Sequence, residues 1–121
     1  MTASNNGGLS TLEYHVLLAL ANRPVYGYAI KDAVETESDG TLTPRAGSLY
    51  RVLARLMAWG LVTEAQPAEE TTPHPGLARK YYGLTPEGRE ALATEARRQR
   101  SAAALAEERL AAAESGGGAG R

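Results

Sequence analysis

Apolar residues in this chain fall into short runs separated by turn residues, and the runs predict a definite order of elements. Ser10-Thr11-Leu12-Glu13 has the form of a capping box, in which serine and glutamate each satisfy a backbone donor at a helix start. Leu9 and Tyr14 are placed to close a hydrophobic staple around it. That first helix continues through Val16, Leu17, Leu18 and Leu20 and is expected to end near Asn22, with Pro24 just beyond. A second helix is expected from Val25 to Glu35, with Ile30 and Val34 at i, i+4 on its buried side, followed by a turn at Asp39-Gly40. Thr41-Leu42 is too short for more than an edge strand, and Thr43-Pro44 offers a cap with proline at the first helical position. After a third helix over 46–59, Leu61 to Gln66 reads as a strand. Pro67 to Ala78 reads as a loop containing Pro67, Pro73, Pro75 and Gly76, and Arg79 to Leu84 as the second strand of a hairpin. Thr85-Pro86-Glu87 then opens a last helix running to about Ala113.

The third helix has two faces of opposite chemistry. At about 100° per residue, Leu49, Val52, Leu53, Leu56 and Met57 share one apolar arc, while Ser48, Arg51 and Arg55 gather opposite. Gly60 stops the helix. Across residues 41–60 the only charges are Arg45, Arg51 and Arg55. One face packs a core, and the other suits an anionic groove.

The last helix is too long for so small a domain to cover. A 4-3 spacing runs through Leu92, Ala96, Gln99, Ala103, Ala106, Leu110 and Ala113, a seam of mainly small residues suited to close packing against a second helix. The other reading is an alanine-rich solvated helix, held by propensity and by charges such as Arg97, Arg98, Glu107 and Arg109.

A length of 121 residues and an apolar fraction of 43% fit one domain with one modest core. The absence of cysteine removes disulfides, thiolate metal sites and a thiol nucleophile together, which fits a reducing cytoplasm. No apolar run approaches the ~18 residues of a membrane span, and residues 1–8 lack the apolar segment of a signal peptide, so a cytoplasmic protein with no membrane partner is expected. A net charge of −1 argues mildly against nucleic acid as a partner. The distribution weakens that objection, because acids concentrate at Asp32, Glu35, Glu37 and Asp39 before the arginine helix and at Glu69 and Glu70 after it. An enzyme is the weakest reading. His15 and His74 are the only histidines and belong to no metal or nucleophile motif, the acid pairs Glu69-Glu70 and Glu107-Glu108 read as solvated charges, and there is no glycine-rich phosphate loop, so no cofactor is expected.

The order helix, helix, short strand, helix, two-stranded wing and long helix is that of a mainly α winged helix-turn-helix domain with a small β-hairpin and a C-terminal dimerisation helix. The residues go further. Leu12-Glu13-Tyr14-His15-Val16-Leu17-Leu18-Ala19-Leu20, Gly27-Tyr28-Ala29-Ile30, Gly47-Ser48-Leu49-Tyr50-Arg51-Val52-Leu53-Ala54-Arg55-Leu56, Gly60-Leu61-Val62 and Arg79-Lys80-Tyr81-Tyr82-Gly83-Leu84-Thr85-Pro86-Glu87-Gly88 together resemble the PadR family of bacterial transcriptional regulators over about residues 9–92. The resemblance implies a homodimeric repressor with its third helix in the major groove of an operator, each wing on the neighbouring backbone or minor groove, and a single C-terminal helix packed on its dimer mate. Together with composition, which makes 114–121 a glycine-rich disordered tail, it divides the chain into a disordered tail (1–8), a DNA-binding domain (9–85), a dimerisation helix (86–113) and that C-terminal tail. Two departures from the family pattern stand out. Arg45-Ala46 occupies the place where Ser-Pro or Gly-Pro is frequent, and the wing carries Glu69, Glu70 and three prolines.

Candidate DNA contacts follow, each with a plainer alternative. Arg51 and Arg55 lie one turn apart, and arginine can grip guanine O6 and N7 together; the alternative is ordinary surface arginines or partners for Glu35 or Asp39. Ser48 and Tyr50 suit phosphates near the helix N-terminus, although Tyr50 stands to one side and suits a half-buried role nearly as well. Arg45 depends on where the helix starts. Arg79 and Lys80 alternate across a strand, so at most one faces DNA. Lys31 reads as a phosphate contact or, more simply, a solvated lysine. Some regulators of this class bind flat aromatic compounds at the dimer interface, yet no aromatic residue follows Tyr82, so Trp59, Tyr81 and Tyr82 read as core packing and any small-molecule effector stays unidentified. Two rival classes remain: a winged-helix protein-interaction module and a ligand-controlled sensor of the same fold.

Overall fold

The computed structural model describes residues 8–66 and 80–117, with side chains through Ser115. Expectations about residues 1–7, about 67–79 (the expected loop over 67–78 and Arg79) and about 118–121 lie outside the described residues. The order is α1 (Thr11–Ala19), β1 (Val25–Tyr26), α2 (Gly27–Glu37), α3 (Ala46–Ala58), β2 (Val62–Ala65), β3 (Tyr81–Leu84) and α4 (Pro86–Gly117).

The capping box forms as the sequence predicts: the Ser10 N–H donates to Glu13 Oε1 at 2.9 Å and the Glu13 N–H to Ser10 Oγ at 3.1 Å. α1 closes at Leu20, before the expected Asn22, because the Leu20 and Ala21 N–H groups turn back to the carbonyls three residues earlier. The next segment corrects the sequence reading. Val25–Tyr26 is a strand, not the first turn of α2, and pairs antiparallel with Tyr81 and Tyr82, so the hairpin becomes a three-stranded sheet in the order β1-β3-β2. Two residues are too few to show a period, and their partner lies far along the chain.

α2 and α3 end in the same way. After α2, Asp39 (φ 55°) and Gly40 (φ 76°) are left-handed, with Gly40 N–H on Glu35 O and Asp39 N–H on Thr36 O. After α3, Gly60 (φ 79°) takes that role, with Leu61 N–H on Leu56 O and Gly60 N–H on Met57 O. Thr41-Leu42 forms no strand. Its polar groups are taken by Ser38, whose Oγ accepts from Leu42 N–H at 3.0 Å and whose carbonyl accepts from Thr41 Oγ1 at 2.7 Å. α3 begins at Ala46 with Arg45 as N-cap, so Thr43-Pro44 is not its start.

The core joins Val16, Leu17 and Leu20 of the α1 region, Ile30 and Val34 of α2, Leu49, Val52, Leu53 and Leu56 of α3, and Leu61, Val62 and Tyr82 of the sheet region. Met57, expected in the apolar arc of α3, is 37% exposed. Thr85 caps α4 as predicted, accepting from Gly88 N–H at 2.9 Å, and its Oγ1–H and N–H reach back to the carbonyls of Gly60 and Leu61. This clasp seats α4 on the α3–β2 turn. The helix runs on through Glu114 to Gly117, past the expected end at Ala113, and its 32 residues make a rod of about 48 Å at 1.5 Å per residue. Leu92 packs against the core, while every described side chain from Arg97 to Ser115 is exposed. Among the described residues no helix is long and apolar enough to cross a membrane.

Candidate nucleic-acid interface

α3 positions the site because Leu49, Val52, Leu53 and Leu56 of its apolar arc are buried in the core, which fixes the rotation of the helix and turns the opposite arc outward. Arg51 is exposed there, Ser48 is half-buried, and Arg45 is exposed at the N-cap just before the helix. Arg51 Nη2 lies 3.4 Å from Ser48 Oγ, one turn back, and among the described residues no acid lies within ion-pair distance of Arg45 or Arg51.

Arg55 is different. Its Nε donates at 2.9 Å to Glu13 Oε2, and its guanidinium stands 5.8 Å from the Trp59 ring. The partner is therefore Glu13, not Glu35 or Asp39. Glu13 was legible in the sequence only as a capping residue, since a bond to a side chain 42 positions away leaves no local trace. Tyr50 is 45% exposed, with its hydroxyl close over Gly27 at the start of α2, so it stands open to solvent and not half-buried.

Two other candidate contacts, Lys31 and Lys80, have acid partners. Lys31 donates to Glu35 Oε2 at 3.0 Å, a bond that raises its pKa above 10.5, and lies 5.8 Å from the ring of Tyr28, which is 60% exposed and was not singled out from sequence. Lys80 sits 3.4 Å from Glu64 on the sheet, with both side chains open to solvent. Along α4, Ala103, Ala106 and Leu110 of the seam are exposed, Ala96 is half-buried, and Gln99 Nε2 lies 3.4 Å from Glu95 Oε2. Leu105, outside the seam, is exposed as well.

The three rings considered for a ligand pocket have structural uses. Tyr82 is buried, Trp59 packs on the core, and Tyr81 meets Tyr26 edge-on at 5.9 Å. A cleft of about 290 Å³ between Leu9 and α4 is lined by Glu87, Glu90, Thr94 and Arg98 among others and carries no aromatic wall.

The family model for the Transcriptional regulator PadR-like family matches residues 16–94. The chain belongs to the PadR family. Solved PadR-family structures share its winged helix-turn-helix architecture. A PadR family transcriptional regulator from Eggerthella lenta is 28% identical, with a TM-score of 0.61 over 83% of this chain and 81% of that one. Bacillus subtilis PadR, solved in complex with operator DNA, is 25% identical with a TM-score of 0.57, covering 70% of this chain and 46% of that protein. A PadR family regulator from Clostridium difficile shares the fold at 24% identity and a TM-score of 0.65, over 84% of this chain and 99% of that one. Among curated proteins, an uncharacterized 37.1 kDa protein in transposon TN4556 of Streptomyces fradiae is 49% identical over 81 residues. That match covers 67% of this chain but 21% of the relative, so the chain spans about a fifth of that protein's length.

Proposed function

We propose that this PadR-family chain is a cytoplasmic DNA-binding transcriptional regulator, acting as a homodimer that represses by occluding a promoter. The observation that carries the reading is the outward face of α3, where Arg51 and the N-cap residue Arg45 stand exposed and, among the described residues, without acid partners, on a helix whose other face is locked into the core. Exposed arginine on a helix fits the major groove in width and in hydrogen-bonding pattern. The operator-bound B. subtilis relative, 25% identical, supports the same use here. Lys31 and one of Lys80 and Arg79 then serve the flanking phosphates, and Ser48 and Tyr50 the groove edge.

The exposed rod of α4 supports the dimer. A helix uncovered from Arg97 onward, with Leu110 65% exposed, gains by packing its small-residue seam on a second copy. Two such domains related by a two-fold axis match a pseudo-palindromic operator with half-sites about one turn, ~34 Å, apart.

Fluorescence anisotropy on the gene's own upstream region and on a scrambled duplex, at two salt concentrations, tests the reading. Preference for the upstream duplex that survives higher salt is the expected result. Equal weak binding that disappears with salt leaves only backbone attraction and refutes a specific site in that region.

A further inference from the structure

We propose that Glu13 is a positioning residue for α3, holding the Arg55 guanidinium against α1 and away from DNA so that specific contacts outweigh general attraction to phosphate. This rests on the DNA-binding reading above and refines which arginines serve it. The Glu13 side chain is 8% exposed and both its oxygens are used, Oε1 by the Ser10 N–H at 2.9 Å and Oε2 by Arg55 Nε at 2.9 Å. One carboxylate thus joins the first turn of α1 to the last turn of α3. A buried carboxylate bonded on both oxygens is a stiff strut, because releasing either partner leaves a charge short of its hydrogen bonds in a poorly solvated place. The Trp59 ring, 5.8 Å from the guanidinium, completes the seat.

Arg51 has no such tether. Its neighbour is a serine hydroxyl at 3.4 Å, and it lies one turn N-terminal to Arg55 on the same exposed flank. A freed Arg55 would stand beside it at the groove and add a sequence-independent cation to each half-site. Non-specific affinity follows the number of phosphates neutralised, so withholding that cation raises the ratio of operator to random binding.

The test measures the slope of log K against log [salt] for the wild-type dimer, Glu13→Gln, Arg55→Ala and the double variant, on the upstream and scrambled duplexes. Glutamine keeps an oxygen for the Ser10 N–H, so the cap survives while the strut is lost. Arg55→Ala is expected to leave the slope unchanged. Glu13→Gln is expected to steepen it by roughly 1.8, about 0.9 for each of two released arginines, and to narrow the preference for the upstream duplex. The double variant is expected to return to the wild-type slope. A slope made shallower by Arg55→Ala overturns the proposal, since Arg55 would then already touch phosphate, and so does an unchanged slope in a folded Glu13→Gln protein. Thermal unfolding of the same four proteins reads the strut without DNA: non-additive shifts in Tm support it, and additive shifts overturn it. Wild-type protein that binds no duplex overturns the functional reading and the role of Glu13 at DNA with it, while the thermal cycle still reports whether the strut exists.

Discussion

Three glycines in the first turns of three helices meet different surroundings, so the same change, glycine to alanine, is predicted to have different signs. Gly47 opens α3 with only Arg51 Nη1, at 3.8 Å, near the place a Cβ would occupy. Alanine there lowers the entropy of the unfolded chain and favours the helix, a gain of roughly 0.5–1 kcal/mol. A Cβ at Gly27 would meet the hydroxyl end of Tyr50, a half-exposed side chain able to swing aside, and a net change within about 0.5 kcal/mol of zero is expected. A Cβ at Gly88 would run into the carbonyl oxygen of Leu61 and come within 2.9 Å of its carbon. That carbonyl cannot yield cheaply, because it accepts from Thr85 N–H at 3.1 Å in the clasp that seats α4. Overpacking a rigid site costs about 1–3 kcal/mol or more, which outweighs the helix gain and leaves Gly88→Ala destabilised by roughly 2 kcal/mol. At about 4 °C per kcal/mol, that is a fall in Tm of about 8 °C. Far-UV circular dichroism melts at one protein concentration, held fixed because a dimer's Tm depends on it, read the series. Gly88→Ala melting at or above wild type would refute the reasoning, as would Gly47→Ala falling as far as Gly88→Ala.

Arg51→Ala is expected to weaken operator binding and, if Arg51 reads a base, to relax preference at one position by ~1–3 kcal/mol, seen by anisotropy on a panel of single-substituted duplexes; unchanged binding by the folded variant removes it from the reading face. A chain truncated before Arg97 is expected to keep its domain fold, since the described side chains from Arg97 onward are exposed, and to sediment as a monomer; a truncated chain that stays dimeric refutes the role of α4. Burial raises the Tyr82 phenol above its ordinary 10.0, so the fold favours the protonated ring. That contribution is whole below pH 10 and is lost as pH climbs through 10 toward the folded value. Urea unfolding of Tyr82→Phe across this range is expected to show a flatter alkaline decline than wild type, and an identical decline refutes the assignment.

The candidate site was only partly legible in the sequence. The isolation of Arg51 and Arg55 opposite the one apolar arc of α3 pointed to an outward basic face, because helical spacing alone places those two side chains, whereas the reach of Arg45 depended on where the helix starts. Whether each arginine is available was not legible. Arg51 and Arg55 look equivalent by spacing, and only the approach of Glu13 from another helix separates them. Met57 fits the apolar arc by angle but lies at its margin, where the packing of neighbouring elements decides burial.

Features that depend on a few adjacent residues were determined by the sequence itself: the Ser10/Glu13 box, the stop at Gly60, the Thr85-Pro86 start and the amphipathic α3. Each is a local hydrogen-bonding or backbone preference, complete within about one helical turn. The tertiary structure alone decided what depends on distant partners. The two-residue strand β1 exists because β3 passes beside it, Ser38 replaces the expected edge strand, and Gly88 is required because Leu61 lies against it. The second use of Glu13, by Arg55, belongs to the same class. Such contacts follow from how helices and sheet pack around one core, and residues far apart along the chain meet only once that core has closed.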